Sequence, residues 1–176
     1  RTIANQYHLP LDEFIDNHHF PYQLYIREAR RLVGLYTLTE LDITRNAKNP
    51  NGARFSDAIA VGEFPVDVHP VRKRQPNDTL LLEGFLGMLD NITVPYQIPF
   101  RIMIPELIDG LIVPVAASTT HVAFSSIRME PTWMALGQAA GVAAHIALKS
   151  NVQPRHVNIQ RVQNILRKQN QVIDPA

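Results

Sequence analysis

Proline is the residue that most restricts what this chain can form. Thirteen prolines are spread along 176 residues, and each fixes φ, removes a backbone donor and interrupts the interior of a helix or sheet. The chain is cut into short runs, which argues against a simple helix bundle and for a mixed α+β or α/β arrangement. One long run escapes this punctuation: between Pro131 and Lys149 there is no further proline and no Asp, Glu, Lys or Arg. Pro131 suits the first turn of a helix, so a helix is expected there. A second is expected from Ile159 to about Gln169, capped by Asn158, with Ile159, Val162, Ile165 and Leu166 on one stripe.

The shorter runs read differently. Asp12 to Ile15 suggests a helical turn, and Leu35–Thr39, Ile59–Val68 and Tyr96–Ile104 are rich in strand formers, with Pro99 marking an edge or bend. Leu111 to Ala116 is a continuous apolar run, the pattern of a strand covered on both faces. Asn46–Gly52 and Val71–Thr79 carry turn chemistry, and the polar stretch from Ser118 to Ser126 reads as a loop leading to Pro131.

Composition narrows the function classes. Hydrophobic residues make up 45% and charged residues 19%, a globular balance, and the formal net charge of +1 gives no reason to expect nucleic acid or an anionic membrane as partner. The absence of cysteine excludes disulfides, thiol catalysis and Cys-ligated metals. His18, His19 and His69 lack ligand spacing, so no metal site is expected. The run after Pro131 is too short to span a membrane, since sixteen residues rise about 24 Å against a hydrocarbon core of roughly 30 Å. The chain starts at Arg1 with no basic-then-apolar signal segment. It therefore reads as a soluble piece of a longer polypeptide, with its compartment open.

The helix after Pro131 is built of small residues, with Gly137 and Gly141 among alanines, so that another backbone or a flat ligand could approach. Its first-turn amides suit an anion or an electron-rich oxygen, and they follow a stretch holding His121, Ser125, Ser126 and Arg128. From here the residues become recognisable. Leu111-Ile112-Val113, Ser118, His121, Ala123, Ser126, Arg128, Pro131 and Ala135-Leu136-Gly137-Gln138-Ala139-Ala140-Gly141-Val142-Ala143-Ala144 resemble the C-terminal segment of FAD-dependent oxidoreductases, in particular the group labelled xanthan lyases. Leu24 to Gly34, Asp57 to Gly62, Ile98 to Arg101 and Leu166 to Ile173 resemble the same family's other motifs, in the expected order.

The resemblance implies part of a glutathione-reductase-like FAD-binding domain plus a mostly antiparallel β substrate domain. Residues 1–105 would be a substrate-domain portion, and residues 106–176 the return to the FAD domain through the Leu111–Val115 strand and the closing helices. It further implies that the N-terminus of the Pro131 helix faces the flavin, with Ser118, Ser126, Met129, Pro131, Thr132 and Gly137 as cofactor-binding residues. Two departures stand out. Pro114-Val115-Ala116 replaces the commoner Ala-Gly-Arg, and none of the eight glycines forms the G-x-G-x-x-G fingerprint that cradles a dinucleotide. A missing N-terminal FAD-binding segment of the same protein is the expected partner, and the chain alone is expected to bind FAD poorly or not at all.

Candidate roles follow. His121 could take the substrate proton while hydride passes to the flavin, or be an ordinary hydrogen-bonded histidine. Arg128 could stabilise charge on the flavin, or be an ion-pair partner of Glu130 or Glu106. Tyr25 and Arg27 are the substrate-binding candidates. Arg27, Glu28, Arg30 and Arg31 form a dense charged group that reads first as an interdomain salt-bridge network, ahead of a substrate anchor. As a strand, Arg27 and Arg31 would share a face; as a helix, Glu28 and Arg31 would pair. The function expected is the C-terminal part of a flavin-dependent oxidoreductase acting on a small alcohol, sugar or amine. The alternative is a non-catalytic remnant or interaction module.

Overall fold

The computed structural model describes residues 9–23, 26–69 and 92–175. The regular elements are the helices α1 (Glu40–Ile43), α2 (His121–Ile127), α3 (Glu130–Ser150) and α4 (Ile159–Lys168) and the strands β1 (Ala58–Gly62) and β2 (Tyr96–Pro99). Single 3-10 turns at Ile15–Asn17, Phe100–Met103 and Pro154–His156 complete them. This is a small α+β arrangement around one antiparallel pair, in which Ala60 lies opposite Ile98 and Gly62 opposite Tyr96.

A two-stranded ribbon is marginal by itself, and here helices cover it. α3 and α4 both pack on β1 and on each other. Leu136, Ala139, Ala143 and Ile146 of α3 and Val162 and Leu166 of α4 join Ile59, Ala60, Tyr96 and Ile98 in one buried cluster. That core draws on both sides of residue 105. Gly62 is where the ribbon needs glycine, because a Cβ there would lie 2.5 Å from the Tyr96 ring. Tyr96 is wholly buried and its hydroxyl is 2.7 Å from Ser126 Oγ.

Two carbonyls of β1, those of Ala58 and Ile59, are met by glutamines from the C-terminal part. Gln163 Nε2 donates to the Ser56 and Ala58 carbonyls at 2.9 and 3.0 Å, and Gln171 Nε2 donates to those of Ile59 and Ala135. Gln97 Nε2 donates to the Ile173 carbonyl at 3.0 Å, tying down the chain after α4. The Asp57 and Arg101 motifs meet as a two-pronged ion pair of 2.9 and 3.2 Å, with the guanidinium over the Tyr36 ring.

Several sequence expectations hold. Pro131 falls in the first turn of α3, Asn158 caps α4 by accepting from the Arg161 amide at 3.1 Å, and Pro99 ends β2. Three do not. Leu111–Ala116 is no strand: Leu111 and Val115 are 43% and 47% exposed, Pro114 removes a donor mid-run, and the Val113 amide makes an isolated bond to the Met103 carbonyl. Without a neighbouring strand among the described residues, the run has nothing to build a ladder with. The supposed loop from Ser118 to Ser126 contains α2, started by Thr120, whose side chain accepts from the Ala123 amide at 3.2 Å. Leu35–Thr39 makes only one isolated bridge, between Leu38 and Thr119, and the turn expected at Asp12–Ile15 starts later, at Ile15. The loop expected at Val71–Thr79 lies outside the described residues.

Two predictions follow from this packing. Gln163→Ala leaves two carbonyls beneath α4 unpartnered and should cost about 1–3 kcal/mol, read as a lower urea midpoint at unchanged slope. Burial and the Asp42 hydrogen bond push the Tyr36 hydroxyl up to about 12, and burial raises Tyr96 as well. Both ionise more easily when unfolded. Their contribution is thus complete below about pH 10 and lost as pH rises toward 12. An alkaline titration followed at the tyrosinate band and by circular dichroism should show these two ionising together with unfolding.

Candidate active site

His121 and Arg128 stand seven positions apart, two turns of helix, so both side chains leave the same face of α2. Arg128 is the helix's last, half-in residue and His121 its first. What meets them is Glu28, from an irregular segment otherwise far away in sequence. His121 Nδ1 is 2.7 Å from Glu28 Oε2, Arg128 Nη1 is 3.4 Å from Oε1, and Arg31 Nη1 is 3.1 Å from Oε2. The Glu28 and Arg128 side chains are only 5% and 3% exposed.

A second carboxylate completes the group. Arg128 Nη2 donates to the Asp67 carbonyl at 2.8 Å and to its Oδ2 at 3.3 Å, and His69 Nε2 is 3.0 Å from the same Oδ2. Two buried or half-buried acids thus face two arginines and two histidines. Burying such charges is costly unless each is matched, and here each is. Arg31 adds a further tie: its Nε donates to the Thr119 carbonyl at 3.1 Å, and its guanidinium lies 5.2 Å from the Phe124 ring centroid. The segment carrying Glu28 and Arg31 is held on α2 by polar contacts at both ends of the helix.

The same two stretches line a pocket one step along. Beyond Arg128 and before Asp67, the residues Met129, Pro131, Thr132, Val61, Glu63 and Phe64 enclose about 270 Å³ at the start of α3. A second pocket of about 410 Å³ shares Val61 and Glu63 and continues toward Ala135, Gln171 and Pro95. Met129 gives α3 no side-chain cap and Pro131 has no amide, so the first-turn amides of Glu130 and Thr132 have no capping partner within this end of the helix.

The sequence candidates therefore divide. Met129, Pro131 and Thr132 come together at the pocket. His121 and Arg128 come together on Glu28, and the ion partners of Arg128 are Glu28 and Asp67 rather than Glu130 or Glu106. Ser118 is bonded to Thr37 Oγ1 at 2.9 Å, and Ser126 donates to the Phe64 carbonyl. Gly137 is exposed, with no described atom within 4 Å of where its Cβ would be. Arg27 is exposed on an irregular segment rather than a strand; Tyr25 lies outside the described residues. Of the charged group, it is the Glu28–Arg31 pairing that forms. Asp67 was missed, because nothing in its local sequence signals that it meets Arg128 across 61 positions. Among the described residues no three His, Asp or Glu side chains gather as a metal site, and no helix is long and apolar enough to cross a membrane.

A family profile described as FAD dependent oxidoreductase matches residues 4–166. The chain belongs to the FAD-dependent oxidoreductase family. The match names that family as a whole and no subgroup within it. No curated protein and no solved structure matches the chain. The start of α3 fits the flavin that the family name implies: uncapped amides beside a mostly apolar pocket suit the electron-rich oxygens of a flavin ring.

Removing Arg128 tests how far this centre supports the fold. Arg128→Met takes the shared cation from Glu28 and Asp67, which keep His121, Arg31 and His69, and should destabilise by about 2–4 kcal/mol, measured by denaturant unfolding; a loss under about 1 kcal/mol would mean the ion pairs are of the weak surface kind.

Proposed function

We propose that the chain supplies the flavin-facing and substrate-facing part of a flavin-dependent oxidoreductase with a glutathione-reductase-like FAD fold. Residues 1–105 would belong to the substrate domain and residues 106–176 to the return into the FAD domain. The observation that carries this reading is the juxtaposition of the α3 pocket with the His121–Glu28–Arg128 centre in a member of this family.

FAD, when bound, would accept a hydride from the substrate. Met129, Pro131 and Thr132 would hold it, the uncapped amides of α3 binding its carbonyl oxygens. His121 would take the proton of a hydroxyl or amine, which restricts the substrate to a small alcohol, sugar or amine. Arg128, with its guanidinium committed to Glu28 and Asp67, would act on the site through those carboxylates. Arg27 and Tyr25 remain proposed contacts to the substrate.

The partner of this part would be the FAD-binding segment bearing the dinucleotide fingerprint that these glycines lack. The outer stripe of α3 supports such a cover: Met134 and Leu148 are 74% and 84% exposed, and Gly137 and Gly141 between them leave room for a close neighbour. The 176-residue chain alone should then be colourless. With a fingerprint-bearing segment supplied, it should show flavin bands near roughly 370 and 450 nm. In that flavin-loaded protein His121→Ala should keep the flavin and slow its reduction by about 10²–10⁴-fold. Loss of flavin with unchanged rate per bound flavin would make His121 a structural residue.

A further inference from the structure

The imidazole of His121 has two nitrogens in unlike surroundings. Nδ1 lies 2.7 Å from Glu28 Oε2. Nε2 is shielded from water and has no hydrogen-bond partner among the described residues, although the side chain as a whole is 21% exposed. A neutral imidazole carries one N–H and one lone pair, and the nitrogen facing a carboxylate must be the donor. The lone pair is then on Nε2.

Glu28 is itself unable to turn away. Oε2 also accepts from Arg31 at 3.1 Å, and Oε1 faces Arg128 at 3.4 Å. Arg128 is anchored on Asp67, which His69 contacts in turn. The carboxylate is therefore gripped from both sides, and the ring bonded to it is held in one orientation.

We infer that Glu28 is the positioning residue of His121: it fixes the Nδ1–H tautomer and so presents Nε2 as the proton acceptor of the site. This rests on the reading of His121 as the proton-accepting residue, and extends it to the residue that sets the ring's tautomer. The surroundings of the orphan nitrogen support it. His121 Nε2 is one of four buried side-chain polar atoms without a partner among the described residues. Buried polar atoms are nearly always satisfied, and the orphan nitrogen of a ring fixed by a carboxylate is one that a substrate O–H or N–H would satisfy. In the step itself the substrate O–H or N–H bond would break, its proton would pass to Nε2, and the pair left on the heteroatom would form the C=O or C=N bond as the adjacent C–H bond breaks, FAD when bound being the acceptor of that hydride.

The test begins with nitrogen-15 correlation spectra of the imidazole groups in the wild-type 176-residue chain. The expected pattern for His121 is a protonated Nδ1 and a bare Nε2; a protonated Nε2 with bare Nδ1 overturns the proposal without any variant being needed. Glu28→Gln keeps the shape but offers an amide, and should give a mixed or reversed tautomer, whereas Arg31→Lys should leave it unchanged. An unaltered tautomer in Glu28→Gln also overturns the proposal. In the flavin-loaded protein Glu28→Gln should lower the reduction rate by about 10²–10⁴-fold, the worth of a correctly presented base, with substrate KM little moved. A reversed tautomer with an unchanged rate, while His121→Ala slows reduction, would remove Glu28 from the mechanism. If His121→Ala itself reduces flavin at the wild-type rate, the proton-acceptor reading fails, and the spectra report separately on the Glu28 bond.

Discussion

The buried carboxylate of Glu28 is the contact on which the site depends. It lies in a segment with no regular structure, 93 positions from His121 and 100 from Arg128. Little else on its own backbone could hold that segment in place. The Leu32 amide reaches the Ala116 carbonyl and Arg31 reaches the Thr119 carbonyl, so the stretch runs along the start of α2 by scattered bonds rather than a ladder. Charge pairing in a shielded place does what secondary structure does elsewhere. Its strength comes from mutual satisfaction: each partner would be costly if left alone, and together they define one arrangement.

The fold beneath the site works on the same economy of regular structure. One short ribbon, with β1 partly edged by glutamine amides instead of another strand, supports α3, and the start of α3 is where the pocket opens. The small residues of α3 serve two directions. Ala139 and Ala143 let the helix sit close on the ribbon, while Gly137 and Gly141 look outward with open space.

How much of this could be read from the residues alone follows from the range of the forces involved. α3 and α4 were legible because their signals are local: Pro131 in a first turn, Asn158 as a cap, apolar positions at helical spacing. α2 was missed because Ser125 and Ser126 look like loop residues. Their hydroxyls are instead paid in local and tertiary bonds, to the Val122 and Phe64 carbonyls. Leu111–Ala116 misled in the other direction, since a continuous apolar run reports burial only if other strands exist to cover it. His121 and Arg128 stood out by their place before α3. Their convergence on one acid across about half the chain did not, because nothing in a local window announces a contact of that reach; the Glu28–Arg31 pair, three residues apart, was within such a window.

The central claim is that Glu28 and Arg128 are energetically coupled across the sequence, so that the site and the packing of α2 form one unit. A double-mutant cycle on Glu28→Gln and Arg128→Met, followed by urea unfolding, measures that coupling directly. The account predicts an interaction of about 1.5–3 kcal/mol, within the range for residues sharing a buried network. Additive effects, to within about 0.5 kcal/mol, would contradict it.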